Sequence, residues 1–75
     1  MERVPVTSSF INSIGYNSVN RMLEVEMSNG RVYEYGPGVS ESEYRMLLDS
    51  SSVGDAFNRL IKPHYSVKPL FAHKG

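Results

Sequence analysis

Leu23, Val25 and Met27 alternate with Glu24 and Glu26, and after Ser28-Asn29-Gly30 the alternation resumes in Arg31-Val32-Tyr33-Glu34-Tyr35. Two period-two runs separated by an Asn-Gly pair predict a β-hairpin. The side chains decide its register. A two-residue Asn-Gly loop sets Val25 opposite Glu34 and Glu26 opposite Tyr33. A three-residue loop, with Gly30 left-handed in a bulge, sets Met27 opposite Arg31, Val25 opposite Tyr33 and Leu23 opposite Tyr35. Only this second register gathers the apolar residues on one face and leaves Glu24, Glu26 and Glu34 on the other. A slip of one residue exchanges the faces, so burial selects the bulged hairpin, at the cost of clustering three carboxylates.

Upstream, Ile14-Gly15-Tyr16 precedes a turn at Asn17–Asn20, so residues 13–17 are expected to pair with 21–27 in an antiparallel meander. Val4-Pro5-Val6 reads as extended. Pro5 has no ladder donor, which makes this piece an edge strand or an arm. Ser8-Ser9 allows a turn or a short helical piece around Phe10-Ile11.

Two helices follow. Ser40 and Glu43 have the spacing of a capping box, and Val39 is placed to staple onto Tyr44. Tyr44, Leu47 and Leu48 form the buried stripe of this helix, and Ser50-Ser51-Ser52 ends it. Ser52 caps the second helix, in which Val53, Ala56, Phe57, Leu60 and Ile61 recur at i, i+3, i+4, i+7 and i+8, a full apolar face. Pro63 stops it. The order predicts an α+β domain over residues 1–66: a small antiparallel meander of about three strands plus an N-terminal edge segment, with two α-helices packed on one sheet face. Residues 67–75 read as a C-terminal tail that docks through Tyr65, Val67, Leu70 and Phe71 or frays.

Composition narrows the function classes. With 75 residues the chain makes one domain, and its 8 Lys/Arg balance 8 Asp/Glu to a formal net charge of zero. There is no cysteine, which excludes disulfides, thiol chemistry and Cys-based zinc sites. No apolar run approaches the ~20 residues that span a bilayer, and no cleavable apolar region follows Met1, so a cytoplasmic protein with no membrane partner is expected. Catalysis is not expected either. His64 and His73 are nine apart near the end of the chain, without metal-ligand spacing, and no serine stands in a Gly-x-Ser-x-Gly context. Glu24, Glu26 and Glu34 resemble a hard-cation cluster but are more simply a solvated strand face. Neither a cofactor nor a metal is expected. Gly54, in the first turn of the second helix, costs about 1 kcal/mol of helix stability relative to Ala. Close packing explains it better than an approaching phosphate, because Asp55 repels an anion there.

Charge distribution supplies the functional expectation. Residues 1–49 carry four Lys/Arg and seven Asp/Glu, a net of −3; residues 50–75 carry four Lys/Arg and one Asp, a net of +3. Arg59 and Lys62 are three apart on the second helix, and His64, Lys68 and Lys74 continue the basic run with Tyr65 and Phe71 interleaved. Asn58 joins them if it is exposed. Basic residues mixed with aromatics suit RNA or single-stranded nucleic acid, by phosphate contact and base stacking. The alternative is a protein partner held at an edge strand or the tail, with the chain itself a monomer or a weak dimer.

Several blocks together resemble a known family: Arg3-Val4-Pro5-Val6 with Ser8-Ser9, Ile14-Gly15-Tyr16, Leu23 to Met27, Asn29-Gly30-Arg31-Val32-Tyr33-Glu34-Tyr35, and Ser52-Val53-Gly54-Asp55-Ala56-Phe57-Asn58. In order and spacing they are similar to the KTSC domain, a small bacterial and phage domain named for its occurrence at the C-terminus of some lysyl-tRNA synthetases and also found free-standing. The similarity covers roughly residues 3–65. Gly36-Pro37-Gly38-Val39 departs from the family pattern, and residues 71–75 lie outside it. The resemblance implies an α+β fold and a loose association with nucleic acid or tRNA enzymes; it implies no catalytic residues.

Overall fold

The computed structural model of the protein describes residues 3–70. Phe71, His73 and Lys74 therefore lie outside the described residues. Five antiparallel strands form one sheet in chain order: β1 (Val4–Pro5), β2 (Ile11–Asn17), β3 (Met22–Met27), β4 (Val32–Tyr35) and β5 (Val67–Leu70). Helices α1 (Glu41–Asp49) and α2 (Val53–Leu60) stand between β4 and β5. The α+β class and the two helices are as expected, but the strand count is higher. Of the expected tail, residues 67–70 dock, and do so as an edge strand: Tyr35 lies opposite Val67 and Glu34 opposite Lys68. Its four residues are too few to show a period, and Pro69 reads as a breaker. An edge strand tolerates a proline whose missing donor faces outward.

The hairpin has the three-residue register. Val25 pairs with Tyr33 and Leu23 with Tyr35, Met27 N–H donates to Arg31 O at 2.8 Å, and Gly30 has φ +88°. One sheet face consequently presents Ile14, Tyr16, Leu23, Val25, Tyr33 and Tyr35 to the helices. Phe57 of α2 meets Tyr35 edge-to-face at 5.1 Å, and Tyr44 of α1 stacks on Tyr16 at 5.4 Å. Ile14, Leu23, Val25, Val39, Leu47 and Ile61 are fully buried between the layers, and Tyr44 packs against the same cluster.

The helix starts form as their sequences predict. Ser40 accepts from Glu43 N–H while the Glu43 carboxylate accepts from Ser40 N–H, a reciprocal capping box, and Ser52 accepts from Asp55 N–H. Gly54 is buried, and a Cβ there would come within 2.6 Å of the Phe10 ring and 3.1 Å of Ser8 Oγ. Packing against the bend before β2 thus accounts for this glycine. That bend is not helical; Phe10 N–H donates to Ser8 Oγ and Phe10 O accepts from Ser28 N–H.

Both sheet edges carry a proline. Val6 N–H donates to Asn12 O and Gly36 N–H to Ser66 O, so by alternation the donor positions of Pro5 and Pro69 face outward. A strand added at either edge would find that donor missing. No helix among the described residues is long and apolar enough to cross a membrane.

Candidate nucleic-acid interface

Three loops meet at one end of the sheet. The β2–β3 turn (18–21), the β4–α1 loop (36–40) and the α2–β5 segment (61–66) all follow or precede strand ends at the same side. Backbone hydrogen bonds tie them together: Gly38 and Val39 N–H both donate to Arg21 O (3.2 and 3.1 Å), and Gly36 N–H donates to Ser66 O (3.0 Å). Arg21 holds φ +58° in the turn and leaves its side chain exposed. Lys62 and His64 are exposed on the third loop. This loop end thus collects Arg21, Lys62 and His64, with no ion pair among the described residues for either Arg21 or Lys62.

The other expected site residues are distributed differently. Helix α2 closes at Leu60 with Ile61 as its C-cap, so Lys62 stands beyond the helix that was expected to carry it. Asn58 and Arg59 are exposed on its last turns. Arg59 borders a groove between the helices with Met46 and Asp49. Lys68 lies on the opposite face of the sheet, across from Glu34, with Nζ 4.0 Å from the carboxylate. The carboxylates of that open face are each turned to a separate partner: Glu24 to Arg3 (3.2 Å), Glu26 to the Ser13 hydroxyl (2.9 Å) and Glu34 to Lys68. No group of three or more His, Asp or Glu among the described residues is arranged to hold a metal ion.

Tyr65 is not a free stacking surface. Its hydroxyl donates to Glu43 Oε1 at 2.5 Å, and the same oxygen accepts from Ser40 N–H (3.1 Å) and the Ser40 hydroxyl (3.2 Å). The phenol therefore clasps the α2–β5 segment onto the cap of α1. Beside it, Tyr16 hydroxyl donates to Val39 O at 2.6 Å.

The sequence matches the KTSC domain family over residues 7–65. The chain belongs to that family. An uncharacterized protein of Stutzerimonas stutzeri (strain A1501) is 41% identical over 66 residues, covering 87% of this chain and 92% of that protein. The crystal structure of a KTSC domain protein from Yersinia pestis shares 36% identity, covers 93% of this chain and 97% of its own, and superposes with a TM-score of 0.87.

Within this KTSC domain the Tyr65–Glu43 clasp sets two titrations. The hydrogen bond to Glu43 comes first, followed by burial and the nearby Glu43 charge, with Tyr16 adding to them; together they push the Tyr65 phenol from 10.0 up to about 12. Burial pushes the Glu43 carboxyl up, but the donors on Tyr65 and Ser40, with His64 nearby, outweigh it and hold the group below its ordinary value. The signs follow by linkage. The raised phenol stabilises the fold fully below pH 10.0 and loses that contribution as pH climbs toward about 12. The lowered carboxyl contributes at neutral pH and loses its contribution as pH falls through its depressed value. Tyrosine-ring NMR is expected to show Tyr65 still protonated at about pH 11, and Glu43→Ala to lower its titration toward the ordinary value, with burial and Tyr16 keeping part of the shift. A Tyr65 half-ionised at its ordinary value in the unaltered protein contradicts the clasp.

Sequence reasoning found Lys62 and His64 but missed Arg21. Its turn was legible from Asn17-Ser18-Val19-Asn20, whereas its neighbours come from loops fifteen to forty-five residues away and leave no local signature.

Proposed function

We propose that this domain is a non-catalytic binding module that holds RNA or another single-stranded nucleic acid by its phosphates at the loop end. The observation that carries the reading is the convergence of exposed Arg21 and Lys62, neither ion-paired among the described residues, with His64, on three loops tied together by backbone hydrogen bonds. Carboxylates nearby are already engaged: Glu41 pairs with Arg45 at 2.8 Å, and Glu43 holds Tyr65 and Ser40. Lysine and arginine on a rigid, water-exposed surface suit a phosphate backbone, and the family's association with tRNA synthetases points the same way. Stacking on Tyr65 is not part of this reading, because its ring is held in the clasp. A partner adding a strand to the sheet is disfavoured at both edges by Pro5 and Pro69.

Fluorescence anisotropy with a labelled single-stranded RNA tests the reading. Affinity is expected to fall with salt by roughly 0.7 log units per log unit of salt for each phosphate contact. Arg21→Asn, which tolerates the left-handed backbone, combined with Lys62→Gln is expected to flatten the slope by about 1.4. Binding with an unchanged slope in the double variant overturns the assignment to this end.

A further inference from the structure

At the border between the loop end and the open sheet face lies an open pocket of about 470 Å³. Met22, Pro37, Ser66 and Val67 are among its lining residues, together with Glu34 and Lys68. The Glu34 side chain is 17% exposed and that of Lys68 68%, so a shielded carboxylate sits beside a solvent-exposed ammonium. Their separation of 4.0 Å is longer than a hydrogen bond, which leaves lone pairs and N–H groups of both available. Gly36 keeps one side of the pocket free of a side chain, and the turn residue Asn20 reaches its rim.

We infer that this pocket receives a guanine base of the bound strand, an inference that rests on the nucleic-acid reading above. Single-stranded RNA is read by splayed bases hydrogen-bonded on their Watson–Crick edges. Along that edge guanine presents O6, N1–H and N2–H in sequence, an acceptor followed by two donors. The Glu34 carboxylate accepts from N1–H and N2–H with its two oxygens, and Lys68 donates to O6. Cytosine offers such a carboxylate one donor group, its N4 amine; uracil offers one N–H flanked by two acceptors; adenine offers its N6 amine beside an acceptor. Guanine is thus the standard base that engages both carboxylate oxygens from adjacent ring positions. Met22 sulfur and the Pro37 ring supply the polarizable and flat surfaces that an aromatic face packs against. The pocket adjoins the Arg21 turn, so a base seated there leaves its flanking phosphates toward the basic loops.

The test uses the whole chain and four short oligouridines that differ at one central position: uridine, cytidine, guanosine or inosine. Guanosine is expected to bind more tightly than uridine by roughly 5- to 150-fold, the range of a good bidentate base contact. Inosine lacks the N2 amine and is expected to fall between them. Glu34→Gln is expected to erase the guanosine preference while the salt-dependent binding of oligouridine persists. Equal affinities for guanosine and uridine, or a preference that survives Glu34→Gln, overturn the pocket assignment but leave the phosphate reading standing. If none of the four binds at low salt, guanosine monophosphate alone decides the matter. Shifts of the Met22 and Val67 methyl signals with millimolar nucleotide, absent with uridine monophosphate, keep the pocket and remove the phosphate path; no shifts remove both.

Discussion

Phe57→Ala is expected to remove a large share of the domain's stability, and all of it at the low end of its range. Phe57 is 1% exposed, lies at the centre of the layer between α2 and the sheet, and packs edge-to-face on Tyr35. Truncating a buried phenylalanine costs about 3–5 kcal/mol, transfer and cavity terms together. At roughly 0.05–0.15 kcal/mol per residue, a chain of 75 residues holds about 4–11 kcal/mol in total. No disulfide compensates, since the chain has no cysteine. Circular dichroism is expected to show loss of the cooperative melt or a midpoint lowered by well over 10 °C, at about 4–8 °C per kcal/mol for a domain this small. A melt shifted by only a few degrees contradicts the assignment of this ring to the core.

Gly36→Ala is expected to be the second most damaging change, and its damage reaches the loop end. Gly36 has φ +128°, a conformation L side chains rarely adopt, and a Cβ there would stand 2.9 Å from Arg21 O and 3.1 Å from Met22 Sδ. The backbone conformation alone costs about 1–3 kcal/mol. The contact adds to this because Arg21 O is fixed backbone, already accepting from Gly38 and Val39. Gly30→Ala separates the two effects: its φ is +88°, but nothing lies within 4 Å of the added carbon. Urea unfolding is expected to show Gly36→Ala losing clearly more stability than Gly30→Ala, and RNA affinity falling only in the former. Equal losses contradict the close approach of the three loops.

The hairpin register was legible because Leu23, Val25 and Met27 alternate with carboxylates that burial excludes. The α1 start was legible because Ser40 and Glu43 cap it through contacts three residues apart, and α2 because its apolar face repeats at helical spacing. Strand β5 was not, since Lys68 and Pro69 mask a four-residue run whose partner lies some thirty residues upstream. The same non-locality hid the loop end. The basic residues of the C-terminal third were visible as a list, but the sheet divides them, sending Lys68 to the open face and Lys62 and His64 to the loops. Tyr65 misled for a related reason. An aromatic among basic residues reads as a stacking group until Glu43, twenty-two residues earlier, is seen to accept its proton donor.

The loop end is proposed to hold single-stranded nucleic acid by its phosphates. Amide NMR of the full chain titrated with a short mixed-sequence RNA tests this most directly. Shifts are expected to concentrate at residues 18–21 and 61–66, with Arg59 at their border, and to fade as salt is raised. An amide spectrum unmoved at millimolar RNA and low salt, or shifts centred on the β1 edge and the start of α2, would contradict it.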